Sequence, residues 1–204
     1  QLVHVETEDL RLALIEAQFQ RRTQSQHKDG RGVLILVSGI EMAGKGEAIT
    51  QLREWMDPRY LMVHAGLNAP IKNNQAFWQS YAGHIPGKGQ LVVLFGNWYG
   101  DLLEAAMQQH NSGLTEQAFD DYVMQMQQFE RYLKDNGVDV LKCWFDIGWN
   151  CLQQRLDTLD PSAQKWQQLH GLDWRSQKQY EQIQQWRYRF STDWHEIDGE
   201  DADE

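Results

Sequence analysis

The residues with the clearest chemical potential run together: Gly39-Ile40-Glu41-Met42-Ala43-Gly44-Lys45-Gly46. They follow the first seven positions of G-x-x-x-x-G-K-[ST], a phosphate-binding loop. In such a loop glycines let backbone N–H groups curl round phosphate oxygens, the lysine reaches the outer phosphates, and the following helix points its positive end at them. The eighth position departs from the pattern, because Gly46 has no hydroxyl to hold Mg²⁺. Gly39, Met42, Ala43, Gly44, Lys45 and Gly46 are thus candidate phosphate contacts, with Lys45 as the cation and Glu41 the acidic group beside it. The bland alternative is a glycine turn next to a surface lysine, and the flanking sequence weighs between the two.

Residues 33–38 form a continuous apolar, β-branched run without alternation, the pattern of a strand covered on both faces in a parallel sheet. Residues 47–56 read as helix and stop at Asp57-Pro58, since proline turns the residue before it away from helix. Strand, glycine loop, helix is the context in which the loop has a mechanism. Farther along, 61–65, 91–95, 138–145 and 194–197 read as strands, and 73–84, 115–135, 149–159 and 176–190 as helices. An opening helix is capped by Thr7, with Leu10, Leu14 and Ala17 on one face and Arg21 and Arg22 near its end. The alternation predicts an α/β fold: a five-stranded, doubly wound parallel sheet sandwiched by helices.

A chain of 204 residues suits one domain, or one domain with a lid. Its net charge of -10 opposes a general duplex-binding surface, which would need many cations against phosphate. The longest apolar runs, 32–40 and 91–95, fall far short of the roughly 20 residues that span a bilayer. No signal peptide is visible at the polar, acidic amino terminus, and Cys143 and Cys151 read as one strand and one helix position, which fits a reducing cytoplasm. His64, His84, His110 and His170 have no partner at metal-ligand spacing, so no metal ligand is assigned. Ser38 precedes the turn and is no nucleophile elbow. Lys165, Arg175, Lys178, Arg187 and Arg189 are either a basic strip for a polyanion or, with greater weight, a solvated face.

Taken with a series of later landmarks, the loop resembles that of the polyphosphate kinase 2 family. The family loop reads G-x-D-x-A-G-K-G, which accounts for Gly46. Asp57-Pro58-Arg59, Pro70, Tyr81, Ile85-Pro86-Gly87-Lys88-Gly89, Trp98-Tyr99, Phe129-Glu130, Gly137 and Leu141-Lys142 match in order. The resemblance covers most of the chain. It implies a P-loop kinase-like (thymidylate-kinase-like) fold for a single domain over 1–204, with a helical lid at about 155–180. It also implies Mg²⁺-assisted phosphoryl transfer between polyphosphate and a nucleoside mono- or diphosphate. Arg59 and Arg155 become possible further phosphate contacts.

The same comparison shows losses. The family sequence F-D-R-S-W-Y is Phe95-Gly96-Asn97-Trp98-Tyr99 at its matching end, so Phe95 replaces the aspartate and Gly96 the arginine. The loop acid is Glu41, the arginine before Tyr81 is Ser80, and the arginine after Trp-Tyr is Asp101, which is expected to set a negative charge near bound phosphate. A family magnesium therefore has doubtful support here. The chain resembles the catalytically degenerate first half of a tandem polyphosphate:AMP phosphotransferase, with a structural or phosphate-binding role. The alternative is an active kinase using Lys45 and Glu41. Expected partners are polyphosphate or nucleotide phosphates, the second catalytic domain of a tandem protein, and further copies of this chain.

Overall fold

The uninterrupted apolar run at 33–38 forms a central strand, β1 (Gly32–Gly39), and the remaining elements are built round it. The computed structural model describes residues 7–27, 30–66, 71, 76–108, 114–160 and 172–200. Besides β1 it contains α1 (Thr7–Gln24), α2 (Lys45–Trp55), β2 (Leu61–Ala65), β3 (Leu91–Phe95), α3 (Trp98–Met107), α4 (Glu116–Asp135), β4 (Val138–Asp146), α5 (Trp149–Asp157), α6 (Gln177–Tyr188) and β5 (His195–Asp198). The sheet has five strands in the order β2-β3-β1-β4-β5, and every pairing is parallel. Strands on both sides and helices on both faces explain why β1 lacks alternation: Leu34 and Leu36 are fully buried, and so are Val92, Val93 and Leu94 in β3.

The chain leaves β1 for β2 on one side and leaves β3 for β4 on the other. Right-handed crossovers then place α2 on one face and α3 and α4 on the opposite face. α1 leans on α2, while α3 packs against α4 and α6. Between the carboxyl ends of β1 and β3 the connections diverge, and such a switch point opens a crevice. The phosphate loop leaves β1 there.

Some elements differ from the expectation. The helix expected at 73–84 is two 3₁₀ turns, Phe77–Ser80 and Ala82–His84, while 72–75 lie outside the described residues. Tyr81 between these turns is drawn inward, its ring edge-on to Trp98 and its hydroxyl bonded to Asp101. The edge strand starts at His195 because Trp194 turns into an aromatic cluster with Tyr99, Phe190 and Trp144. Of the expected lid, 161–171 lie outside the described residues, and α5 and α6 flank them. On α1 the expected face of Leu10, Leu14 and Ala17 is docked only in part: Gln18, one turn after Leu14, is buried and Leu14 half-buried, while Leu10 and Ala17 are exposed.

Three landmarks of the resemblance meet in one buried polar group. Lys142 of β4 donates to Glu130 of α4 at 2.9 Å, and the other Glu130 oxygen accepts from Trp98 Nε1 at 3.2 Å. These charges are paired and hydrogen-bonded, as buried ions must be. Their role is to lock α3, α4 and β4 together behind the crevice.

Candidate phosphate-binding site

β1 ends at Gly39 in a left-handed conformation (φ 141°), where a Cβ would lie 2.1 Å from the Phe145 carbonyl oxygen. Only glycine lets the loop leave the sheet so close to β4. Ile40 donates its N–H to that same carbonyl at 2.9 Å, and the side chains of Ile40 and Ala43 are buried in the core. Gly44, at φ 88°, precedes the first turn of α2. Gly39 to Gly46 thus form a loop at a helix amino terminus, facing a cavity of about 520 Å³. Lys45 and Arg155 line this cavity together with Glu41, Glu47 and Phe95.

Lys45 is buried, and its ammonium donates to the carbonyls of Gly39 (3.0 Å) and Ile40. Glu41 lies 4.0 Å away. Burial pushes the Lys45 pKa down, opposed by the nearby Glu41 and Glu47 carboxylates. Arg155 comes to the loop from α5, donating to the Met42 carbonyl at 2.9 Å and to the Glu200 carbonyl at 3.3 Å. Lys45, Glu41, the loop glycines and Arg155 are therefore brought together.

Arg59 is not. It precedes β2, at the amino edge of a parallel sheet, whereas the loop follows the carboxyl end of β1. Five strand residues at ~3.3 Å each separate the two edges by about 16 Å. Its guanidinium grips Asp57 in a two-pronged pair and holds that carboxyl at about 2.

Phe95 ends β3 opposite Val37 and forms one wall of the loop cavity. With Gly96 it also borders an adjoining cavity of about 190 Å³ whose other walls include Leu103, Trp144 and Trp174. The positions that carry aspartate and arginine in the resembled pattern are thus an apolar wall. Gly96 is at φ 97°, a left-handed conformation that an arginine would take only under strain. Gly46 differs: a Cβ there would meet nothing within 4 Å, so space does not forbid a hydroxyl.

Asp101 corrects another expectation. Its carboxylate does not face the loop cavity but is buried and accepts from the Tyr81 hydroxyl, because α3 turns position 101 toward the core with Trp98 and Leu102. Burial, together with the Asp101 carboxylate, pushes the Tyr81 pKa far up. Nor, among the described residues, do Arg175, Arg187 and Arg189 make one strip. Arg175 pairs with Asp157 and Arg189 with Asp120 and Glu116, while Arg187 is buried against Trp144, Phe190 and Trp194; Lys165 lies outside the described residues. The rings of His64 and His84 meet at a tilt of 55° with centroids 4.2 Å apart, although among the described residues no group of three ligating side chains suits a metal.

Sequence reasoning missed Asn97. Fully buried, it donates from Nδ2 to the Val37 carbonyl (3.1 Å) and to Ser38 Oγ (2.9 Å), and its Oδ1 accepts from the Tyr99 N–H (3.1 Å). It caps α3 and ties that helix to the end of β1, directly behind the loop. The available signal was an asparagine just ahead of a run with helical period. Asn97→Ala should lower unfolding stability by about 1–3 kcal/mol in urea titration, since it strands buried polar groups. A change under about 0.5 kcal/mol, the size of an ordinary surface substitution, would contradict this tie.

Comparisons with known proteins bear on the family and the fold. The family model described as Polyphosphate kinase 2 (PPK2) matches residues 3–192. A polyphosphate:AMP phosphotransferase of Acinetobacter johnsonii is 53% identical over 196 residues, covering 96% of this chain and 41% of that protein. One of Pseudomonas aeruginosa is 35% identical over 180 residues, 86% of this chain and 34% of that protein. A polyphosphate kinase 2 structure from Pseudomonas aeruginosa PA01 superimposes with a TM-score of 0.74 at 30% identity, covering 98% of this chain and 42% of that one. Another, from Arthrobacter aurescens TC1, has a TM-score of 0.69 at 18% identity, covers 93% of this chain and 70% of that one, and speaks to the fold alone. The P-loop kinase-like α/β fold is the expected one. The chain spans about two fifths of the length of the first relative and about a third of the second.

Proposed function

The chain belongs to the polyphosphate kinase 2 family, and from that premise we propose that it is a phosphate-binding domain of low turnover, acting in a protein that moves phosphoryl groups between polyphosphate and a nucleotide such as AMP. It corresponds, in this reading, to the degenerate first half of a tandem polyphosphate:AMP phosphotransferase, one domain over 1–204 with a lid at about 155–180. The carrying observation is the apolar wall of Phe95 and Gly96 beside Lys45. Phosphoryl transfer relies on positioning and on charges round the phosphates, and loss of one such group costs about 10³ in rate. Lys45, Arg155 and the loop amides remain to bind phosphate.

A protein-held magnesium does not fit the donors at this loop. Magnesium takes oxygen ligands in a near-octahedral shell. Gly46 offers no hydroxyl and Phe95 no carboxylate, which leaves Glu41 and Glu47, and Glu41 lies beside Lys45. That closeness of Glu41 to Lys45 favours a second reading, an active kinase in which these two residues suffice. Polyphosphate or nucleotide phosphates, a second catalytic domain and further copies of the chain are its partners in the cytoplasm. Among the described residues no helix is long and apolar enough to cross a membrane. Titration calorimetry with pyrophosphate and tripolyphosphate tests the binding role: saturable heat is expected, and no measurable affinity for either overturns it.

A further inference from the structure

α5 begins without the residues that usually close a helix start. Gly148 at its N-cap has no side chain to accept an N–H, Cys151 stands where a capping box has Glu or Gln, and no acid lies in the first turn. The carboxylate comes instead from far along the chain. Glu200 Oε1 accepts the Gly148 N–H at 2.8 Å, the bond that the third helical residue makes in a capping box. Its charge also suits the positive end of α5. A Cβ on residue 148 would lie 2.5 Å from that same oxygen, so glycine there is what admits Glu200.

Glu200 is itself held in place. Its N–H donates to Asp198 Oδ1 at 2.8 Å, and the Gly199 N–H donates to the Asp146 carbonyl at 2.8 Å. Gly199 is buried against the phosphate loop, where a Cβ would lie 2.5 Å from the Ala43 carbonyl oxygen and 2.9 Å from that of Asp146. One residue then serves both ends of α5. The Glu200 carbonyl accepts from Arg155 Nη2 at 3.3 Å, while Arg155 Nη1 donates to the Met42 carbonyl at 2.9 Å. Met42 is left-handed at φ 61°, a conformation that a residue other than glycine keeps only where its surroundings fix it. Arg155 supplies such a contact and also lines the loop cavity.

We propose that Glu200 is a positioning residue of the phosphate site: through the start of α5 and through Arg155 it sets the cavity's second cation and the path of the loop at Met42. By charge alone its carboxylate would oppose a bound phosphate. The bonds to Gly148 and Arg155 account for its place there. This rests on the phosphate-binding role proposed above and adds to that site a determinant in the turn after β5, outside the loop motif.

Titration calorimetry of the 1–204 protein with pyrophosphate tests it, with thermal unfolding of each variant to show that the fold is kept. Glu200→Ala should weaken binding about 3- to 10-fold, the scale of one lost hydrogen bond. Glu200→Gln keeps an oxygen for the Gly148 N–H while dropping the charge, and should stay within about twofold of the wild type. Gly148→Ala, whose methyl group would displace the Glu200 carboxylate, should match Glu200→Ala, and it decides the matter if the latter fails to fold. In an Arg155→Met background the loss from Glu200→Ala should vanish, because the two residues act in series. Where Arg155→Met binds too weakly to titrate, the difference between Ala and Gln at 200 decides. Equal effects of Ala and Gln would make Glu200 a matter of charge and overturn the proposal, as would a loss that persists in full without Arg155. Pyrophosphate binding by the wild type that Glu200→Ala leaves unchanged or tightens overturns this proposal alone. A wild type without affinity for pyrophosphate overturns the phosphate-binding role, and the proposal with it.

Discussion

Phe95→Asp combined with Gly96→Arg should raise transfer from polyphosphate to AMP by about 10- to 100-fold, and neither substitution alone should do so, because groups that share one transition-state charge act as a unit. An aspartate at 95 would stand at the end of β3 against the loop cavity, where it could hold a metal near the outer phosphates. An arginine at 96 would supply the cation that the apolar wall lacks. The gain stays below the ~10³ associated with such groups in intact sites because of the backbone. Gly96 is left-handed at φ 97°, and a side chain there costs roughly 1–2 kcal/mol. Arginine in place of Gly96 would thus have to change the chain path as well as the side chain, and the double variant should melt at a lower temperature. Formation of ADP, measured with thermal unfolding of the same samples, checks both parts. No gain in a folded double variant, or an equal gain from Phe95→Asp alone, would contradict the assignment of these positions.

Lys45→Met should weaken pyrophosphate binding by about 10- to 150-fold, the equivalent of the 1.5–3 kcal/mol of a charge-assisted hydrogen bond. It should do so without loss of stability at neutral pH. Lys45 is buried, and desolvation is the largest influence on it, holding its pKa below the ordinary lysine value. For a lysine this sign means that the protonated form is disfavoured by folding. Stability should therefore rise as pH climbs through the depressed folded value toward the unfolded one, and lie at its lower level below both. Methionine keeps much of the stem and removes the charge, so it should flatten that slope. A melting temperature that drops by several degrees in Lys45→Met would instead make the ammonium a strut for the Gly39 and Ile40 carbonyls. Such a trade of stability for a charged binding group is common at functional sites.

How far the sequence told this story depends on how local each signal was. The loop, β1 and α2 were legible because strand, glycines and helix follow one another within one short segment, and their burial is decided by neighbours on every side. Arg155 does lie at the loop, lining its cavity. Arg59 was misplaced because its motif order says nothing of sheet edges; in a parallel sheet a residue before a strand lies at the opposite end from a loop that follows one. Asp101 misled for a related reason: the helix that turns it inward was not anticipated, although Asn97 caps it and Trp98, Leu102 and Ala106 recur at helical spacing. On α1 the apolar residues suggested a core face, but the seam is made by Gln18 and Arg21, whose partners Asp57 and Asp139 lie far away in sequence.

The central claim is that a phosphate site has survived while its catalytic charges have not, and steady-state turnover of the purified 1–204 protein with AMP, polyphosphate and abundant Mg²⁺ tests it most directly. Kinases typically work at about 1–100 per second, and at least one lost charge group of ~10³ leads us to expect no more than about 10⁻³–10⁻¹ per second, close to the Lys45→Met control that reveals trace host kinases. A rate near about 1 per second or faster that Lys45→Met abolishes would contradict the claim, and would mean that Lys45 and Glu41 suffice for catalysis.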